Sequence, residues 1–221
     1  MKRQPYYAEP DGSIVIWNCD WREAEDLGRA TVLVSDPPYG MAFRSGMGGA
    51  FGESTIANDE TPEERDTFLE CWGDKPALVF GRWSVPRPRG TKMVLIWEKG
   101  NHVGMGDLSI PWKPNTEEIY VLGSGFVGHR GTSVLRYNAI AGTVGQAGTG
   151  TRHHPTEKPV DLMRDLLAKC PPDSVILDPF MGSGTTLRAA KDLGLRAIGC
   201  ELDEGYCDYA ARRLGQGVFA L

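Results

Sequence analysis

Asp36-Pro37-Pro38-Tyr39 follows an apolar run from Thr31 to Ser35 that reads as a buried strand, so Asp36 stands at a strand's carboxyl end. Two successive prolines fix their own φ angles and carry no N–H, which makes the turn rigid and leaves its carbonyls to accept hydrogen bonds from elsewhere. The Asp36 carboxylate and the Pro37 carbonyl form a pair of acceptors suited to the two N–H groups of an exocyclic amine on a nucleobase. Such an amine is a poor nucleophile because its lone pair is delocalised into the ring. Two acceptors would make the nitrogen more tetrahedral and stabilise the positive charge that develops as it attacks a sulfonium carbon. Pro38 stiffens the turn, and Tyr39 offers a ring for stacking on the base, a contact worth about 1–3 kcal/mol. Taken alone, the same four residues also read as a stiff turn with an exposed tyrosine.

A second aspartyl turn lies far downstream. Asp178-Pro179-Phe180-Met181-Gly182-Ser183-Gly184-Thr185-Thr186 reads as a strand end, a tight glycine turn and a helix start, which presents backbone N–H groups to a ligand. In a dinucleotide fingerprint a third glycine would stand where Leu187 does, and this weakens a pyrophosphate reading. Glu201 closes the next strand about 20 residues on, at the offset from which an acid accepts the hydroxyls of an adenosine ribose. Turn and acid together point to a nucleoside cofactor. None of the five cysteines, Cys19, Cys71, Cys170, Cys200 and Cys207, follows a proline, which argues against attack on a base carbon by a thiolate.

These residues need elements to hold them. Short apolar runs alternate with helical patterns along the chain, the signature of an α/β fold with a mostly parallel sheet. Strands are expected at Ser13 to Trp17, Thr31 to Ser35, Ala77 to Phe80, Met93 to Trp97, Glu118 to Leu122, Ser174 to Leu177 and Arg196 to Cys200. Helices are expected from Trp21 to Leu27, after the capping box Thr61-Pro62-Glu63-Glu64, from Pro159 with Val160, Met163, Leu166 and Leu167 on one face, from Thr185 to Leu193, and from Glu204 to Leu214. The glycine-rich stretch Gly40 to Gly52 reads as a loop able to close over a base. Gly123 to Gly150 holds eight glycines and no sustained periodicity, which marks an insertion or recognition segment rather than a regular element.

At 221 residues the chain suits one domain. A net charge of -5 excludes a molecule coated in positive charge, so nucleic acid would be held by a local patch. The cysteines show no paired spacing, so neither a disulfide framework nor a metal site is expected, and free thiols suit a reducing cytoplasm. No signal peptide or membrane span is legible.

The sequence resembles the beta class of DNA amino-methyltransferases, in which the catalytic motif precedes the cofactor motif. The likeness rests on D-P-P-Y at Asp36 to Tyr39, H-P-T-E-K-P at His154 to Pro159 and D-P-F-x-G-S-G-T at Asp178 to Thr185, in that order. It implies an α/β, Rossmann-like methyltransferase fold of circularly permuted motif order, with helices on both faces of the sheet, and one domain over 1–221. It implies S-adenosylmethionine as cofactor, contacted by Thr156, Lys158, Phe180, Gly182, Gly184 and Glu201, with Asp36, Asp178 and Thr185 in the same pocket. Cys19 and Asp20, at the end of the preceding strand, are candidates near the cofactor adenine, and read equally well as a strand terminus and a helix cap. The resemblance places target recognition in 124–152, makes DNA the partner and brings in dimers, which are common in the family.

Arg130, Arg136, Arg152 and His153 offer charge for DNA phosphates. Arg82, Arg87, Arg89 and Lys92 do so too, or form a solvated face. Adenine N6 is the expected target, because relatives acting on cytosine N4 more often carry serine in place of Asp36. Cytosine N4 is the alternative, and a catalytically silent binding module is the alternative outside enzymes.

Overall fold

The computed structural model describes residues 3–38, 63–101, 103, 106–140 and 157–216. Tyr39, Arg152, His153, Thr156, the stretch 40–52, Thr61 and Pro62, and 141–152 of the expected recognition segment lie outside them. The strands are β1 (Tyr7–Ala8), β2 (Ile14–Asn18), β3 (Val32–Ser35), β4 (Ala77–Gly81), β5 (Met93–Glu98), β6 (Thr116–Leu122), β7 (Val134–Arg136), β8 (Val175–Asp178) and β9 (Arg196–Glu201). The helices are α1 (Glu63–Trp72), α2 (Val160–Leu167), α3 (Thr185–Asp192) and α4 (Glu204–Gly215).

All described strands join one sheet in the order β1-β2-β9-β8-β3-β4-β6-β5-β7. β2, β9, β8, β3 and β4 pair in parallel, β6 runs antiparallel to β4 and β5, and β7 returns parallel to β5. Seven strands therefore end at one edge of the sheet: β2, β9, β8, β3, β4, β5 and β7. Parallel strands buried on both faces explain the continuous apolar runs. Residues alternate between two cores. On one face Ile16, Val34, Phe80 and Ile176 pack against Leu162, Leu166 and Leu167 of α2, Leu187 and Ala190 of α3 and Ala210 of α4. On the other, Leu33, Val79, Leu177 and Ile198 meet Phe68 and Trp72 of α1. The expected α/β architecture, with helices on both faces, is present.

Three local expectations change. The helix expected from Trp21 to Leu27 is two separate 3-10 turns, Trp21–Glu23 and Leu27–Arg29. Asp20 caps only the first, Ala24 turns extended, and Asp26 takes a left-handed φ of 64°, so no helical run can form. The glycine-rich segment after Gly123 contains β7, which borrows its hydrogen-bonding partner from Ile96, Trp97 and Glu98 of β5. On α2 the buried residues are Leu162, Met163, Leu166 and Leu167, while Val160 is only partly buried. Among the described residues no helix is long and apolar enough to cross a membrane.

Candidate active site

β3 and β8 are parallel neighbours, with Leu33 opposite Leu177, so the two aspartyl turns leave the sheet side by side. Ser35 Oγ donates a hydrogen bond to Asp178 Oδ1 at 2.7 Å, tying the two strand ends together. Asp178 is buried, and it also accepts from Thr186 Oγ1 at 2.5 Å and from the Phe180 N–H at 3.3 Å. Burial raises its pKa to about 6; the hydroxyl and amide donors offset part of that rise, and the nearby Asp36 adds to it.

Gly182 and Gly184 both take positive φ, 50° and 73°. A Cβ on Gly184 would also stand 2.6 Å from the Ala210 Cβ, so a side chain there meets strain and a clash together. Thr185 opens α3 and is buried, with its hydroxyl accepting from Arg213 of α4 at 3.1 Å. Glu201, at the end of β9, accepts from the Gly182 N–H at 3.0 Å and the Asp203 N–H at 2.8 Å, and burial raises its pKa. A carboxylate has about four lone-pair positions, so these two bonds leave acceptor capacity for a diol.

The neighbouring β2 ends beside Glu201. Asn18 Nδ2 donates to the Glu201 and Leu202 carbonyls, each at 3.0 Å, and so closes this side of the site. Cys19 is buried, and the Asp20 side chain accepts from the Arg22 N–H at 2.8 Å, so the cap reading of Asp20 is the one seen locally. Trp21, Phe68 and Phe180 form an aromatic group, with the Phe68 centroid 4.9 Å from Trp21 and 6.3 Å from Phe180. A small apolar crevice beside it is lined by Ser35, Pro37, Phe68, Pro179 and Phe180.

Asp36 itself is 21 % exposed and has Lys158 Nζ 2.5 Å from its Oδ2. Lys158 also meets Glu117 Oε1 at 2.8 Å. Of the cationic candidates, Arg130 and Arg136 are exposed, and Arg136 pairs with Glu98 on the neighbouring strand at 2.9 Å. Arg87 pairs with Glu118 at 2.8 Å. The edge thus gathers Asp36, Pro37, Pro38, Lys158, Asp178, Phe180, Gly182, Gly184 and Glu201. Three side chains that sequence reasoning did not single out belong with them: Asn18, Ser35 and Glu117. Asn18 and Ser35 stand at strand ends next to nominated residues. Glu117 lies two residues from Ile119 on β6, which puts it on the sheet face that carries Ile119 and Phe80. The site therefore unites a stiff acceptor turn, a glycine turn with an acid at the next strand end, and several carboxylates that suit a cationic ligand.

Comparison with known proteins agrees with this chemistry. A family model of DNA methylases, of the N6/N4 type, matches residues 83–212. "Putative methylase YubD" of Escherichia coli (strain K12) is 30% identical over 197 residues, which is 82% of this chain and 80% of that protein. The chain belongs to the N6/N4 DNA methylase family. The crystal structure of the M1.HpyAVI complex with SAM shares the fold, with a TM-score of 0.62 at 19% identity over 91% of this chain and 99% of that one. PvuII DNA methyltransferase (cytosine-N4-specific) shares it with a TM-score of 0.70 at 14% identity, over 99% and 91%.

Proposed function

We propose that the protein transfers a methyl group from S-adenosylmethionine to N6 of adenine in DNA. The observation that carries this reading is the adjacency of the two aspartyl turns, linked by the 2.7 Å bond from Ser35 to Asp178. Glu201 and the glycine turn would hold the ribose and the rest of the cofactor, with Asp178, Thr185 and Phe180 bordering it and Thr156 joining them by resemblance. When bound, the cofactor supplies an electrophilic sulfonium methyl. Asp36 accepts one amine N–H and the Pro37 carbonyl accepts the other, which turns the nitrogen lone pair toward the methyl carbon. The new N–C bond forms as the S–C bond breaks, and the proton lost from nitrogen leaves by way of the part-exposed Asp36 carboxylate to water. Tyr39 stacks on the flipped base, offsetting part of the few kcal/mol, on the order of one stacking step, lost on leaving the duplex. Arg130, Arg136, Arg152 and His153 meet phosphates, and 124–152 reads the target.

The aspartate of the D-P-P-Y turn favours adenine over cytosine. Incubating the protein with DNA and methyl-labelled S-adenosylmethionine, then digesting to nucleosides, tests the reading directly. Label is expected in N6-methyldeoxyadenosine. Label in N4-methyldeoxycytidine would overturn the choice of base, and no label in any nucleoside would overturn the activity.

A further inference from the structure

Lys158 is only 6% exposed, and a buried ammonium is costly unless it is paired on every side. Its Nζ is 2.5 Å from Asp36 Oδ2 and 2.8 Å from Glu117 Oε1, and it lies over the Phe80 ring at 4.9 Å. Glu117 in turn meets Lys99 Nζ at 2.6 Å. Four segments of the chain therefore contribute an alternating row of charges, Asp36, Lys158, Glu117 and Lys99, which ends on the carboxylate of the acceptor turn. Burial pulls the Lys158 pKa down, yet Asp36 and Glu117 outweigh it and leave it raised. Burial pushes Glu117 up, yet Lys158 and Lys99 outweigh that and leave it lowered.

We propose that Lys158 is a positioning residue for methyl transfer: it clamps the Asp36 carboxylate in its acceptor orientation and keeps it ionised, while Glu117 and Lys99 hold Lys158 in place. This rests on the reading of Asp36 as the amine acceptor, and it gives Lys158 a role distinct from the cofactor contact that the resemblance implies. A protonated Asp36 would present a donor where the amine needs an acceptor, so the ionised form is the one that works. Among the described residues, the charged groups facing this carboxylate are Lys158, with Glu117 and Lys99 behind it, and Asp178 on the adjacent strand.

The test is single-turnover methyl transfer against pH, with DNA and S-adenosylmethionine saturating, in the wild type, Lys158→Met and Glu117→Gln. Removing the cation should raise the proton affinity of Asp36, moving the acid limb of the profile up by about one pH unit or more. Removing the charge of Glu117 should leave Lys158 to Asp36 alone and move the limb the other way, or leave it in place. Asp178, raised to about 6 by burial, titrates in the acid range as well, so the comparison between variants carries the result. Cofactor affinity measured by calorimetry should change less than about threefold in Lys158→Met, which is about half of the 1.4 kcal/mol that a tenfold change represents. An unmoved limb with a large loss of cofactor affinity would overturn the inference and make Lys158 a cofactor contact. Should Lys158→Met fail to fold, a limb that moves up in Glu117→Gln would overturn it instead. A wild type that transfers no methyl to DNA would sink the functional reading as well, which sets that failure apart from an active enzyme with an unmoved limb.

Discussion

Asp178 and Asp36 leave adjacent strands, and their surroundings treat them in opposite ways. Asp178 is buried among hydroxyl and amide donors, with no cation in contact among the described residues, and burial carries its pKa up to about 6. Asp36 is partly exposed and has an ammonium 2.5 Å away. Pairs of acids whose environments push their proton affinities apart mark a division of labour. Here Asp178 is a hub that joins strand, turn and helix, and Asp36 is a charge held ready at the edge. The turns that carry them differ in the same sense. The Asp178 turn depends on glycines in left-handed conformation, whereas the Asp36 turn depends on prolines that need no special φ.

The largest effect that would break the comparison is on rate. Asp36→Ala should lower single-turnover methyl transfer by about 10²–10³-fold, the loss typical of removing one acceptor or donor aimed at developing charge. Cofactor affinity by calorimetry should stay within a few fold. A variant that retains full rate would remove Asp36 from the chemistry.

Next comes the conformational contrast between the turns. Gly184→Ala should lower unfolding free energy by about 2–4 kcal/mol in denaturant titration, combining a left-handed φ with a Cβ pressed on Ala210. Pro38→Ala should cost under about 1 kcal/mol, through the entropy of the unfolded chain. Similar costs for the two would erase the distinction drawn between them.

What the sequence made legible follows the same divide. Both aspartates, the glycine turn and Glu201 could be placed because buried runs bounded by turn residues announce parallel strands, and strand ends announce the site edge. β7 could not: Val134, Leu135 and Arg136 are too short a run to show a period, and only the β5 edge makes them a strand. The spacing from Trp21 to Leu27 suits one helix, and nothing in that spacing reveals the left-handed φ at Asp26 that splits it into two turns. Glu117 was hidden beside Glu118 as one of two acids, although strand alternation sends Glu117 to the Ile119 face and Glu118 to the Tyr120 face. The pairing of Lys158 with Asp36 is tertiary, across 122 positions of sequence, and no local pattern reports it.

A proton-linked measurement sharpens the contrast further. Because the folded-state pKa of Asp178 lies above its ordinary value, the native state holds that proton more tightly. The stability it contributes is therefore present at low pH and lost as pH rises from about 4 through about 6. Asp178→Asn removes this dependence. The stability of the variant relative to the wild type should rise across that window by on the order of 2–3 kcal/mol and flatten near pH 7, in denaturant titrations at matched pH. A difference that stays constant from pH 4 to 7 would mean that Asp178 is not proton-linked to folding.

The smallest effect tests the link between the turns. Ser35→Ala removes one hydroxyl donor to Asp178 and leaves Thr186 and the Phe180 N–H. A hydrogen bond to a charged group contributes about 1.5–3 kcal/mol, and the remaining donors should reduce the loss to about 1 kcal/mol at pH 8. At pH 4.5 Asp178 is largely protonated, so the loss there should be smaller. In an Asp178→Asn background the pH dependence of the Ser35→Ala loss should vanish, because the charge that the hydroxyl stabilises is gone. An equal loss at both pH values in the wild-type background would mean that Ser35 packs against the strand end without serving the carboxylate, and the two turns would then be neighbours without being coupled.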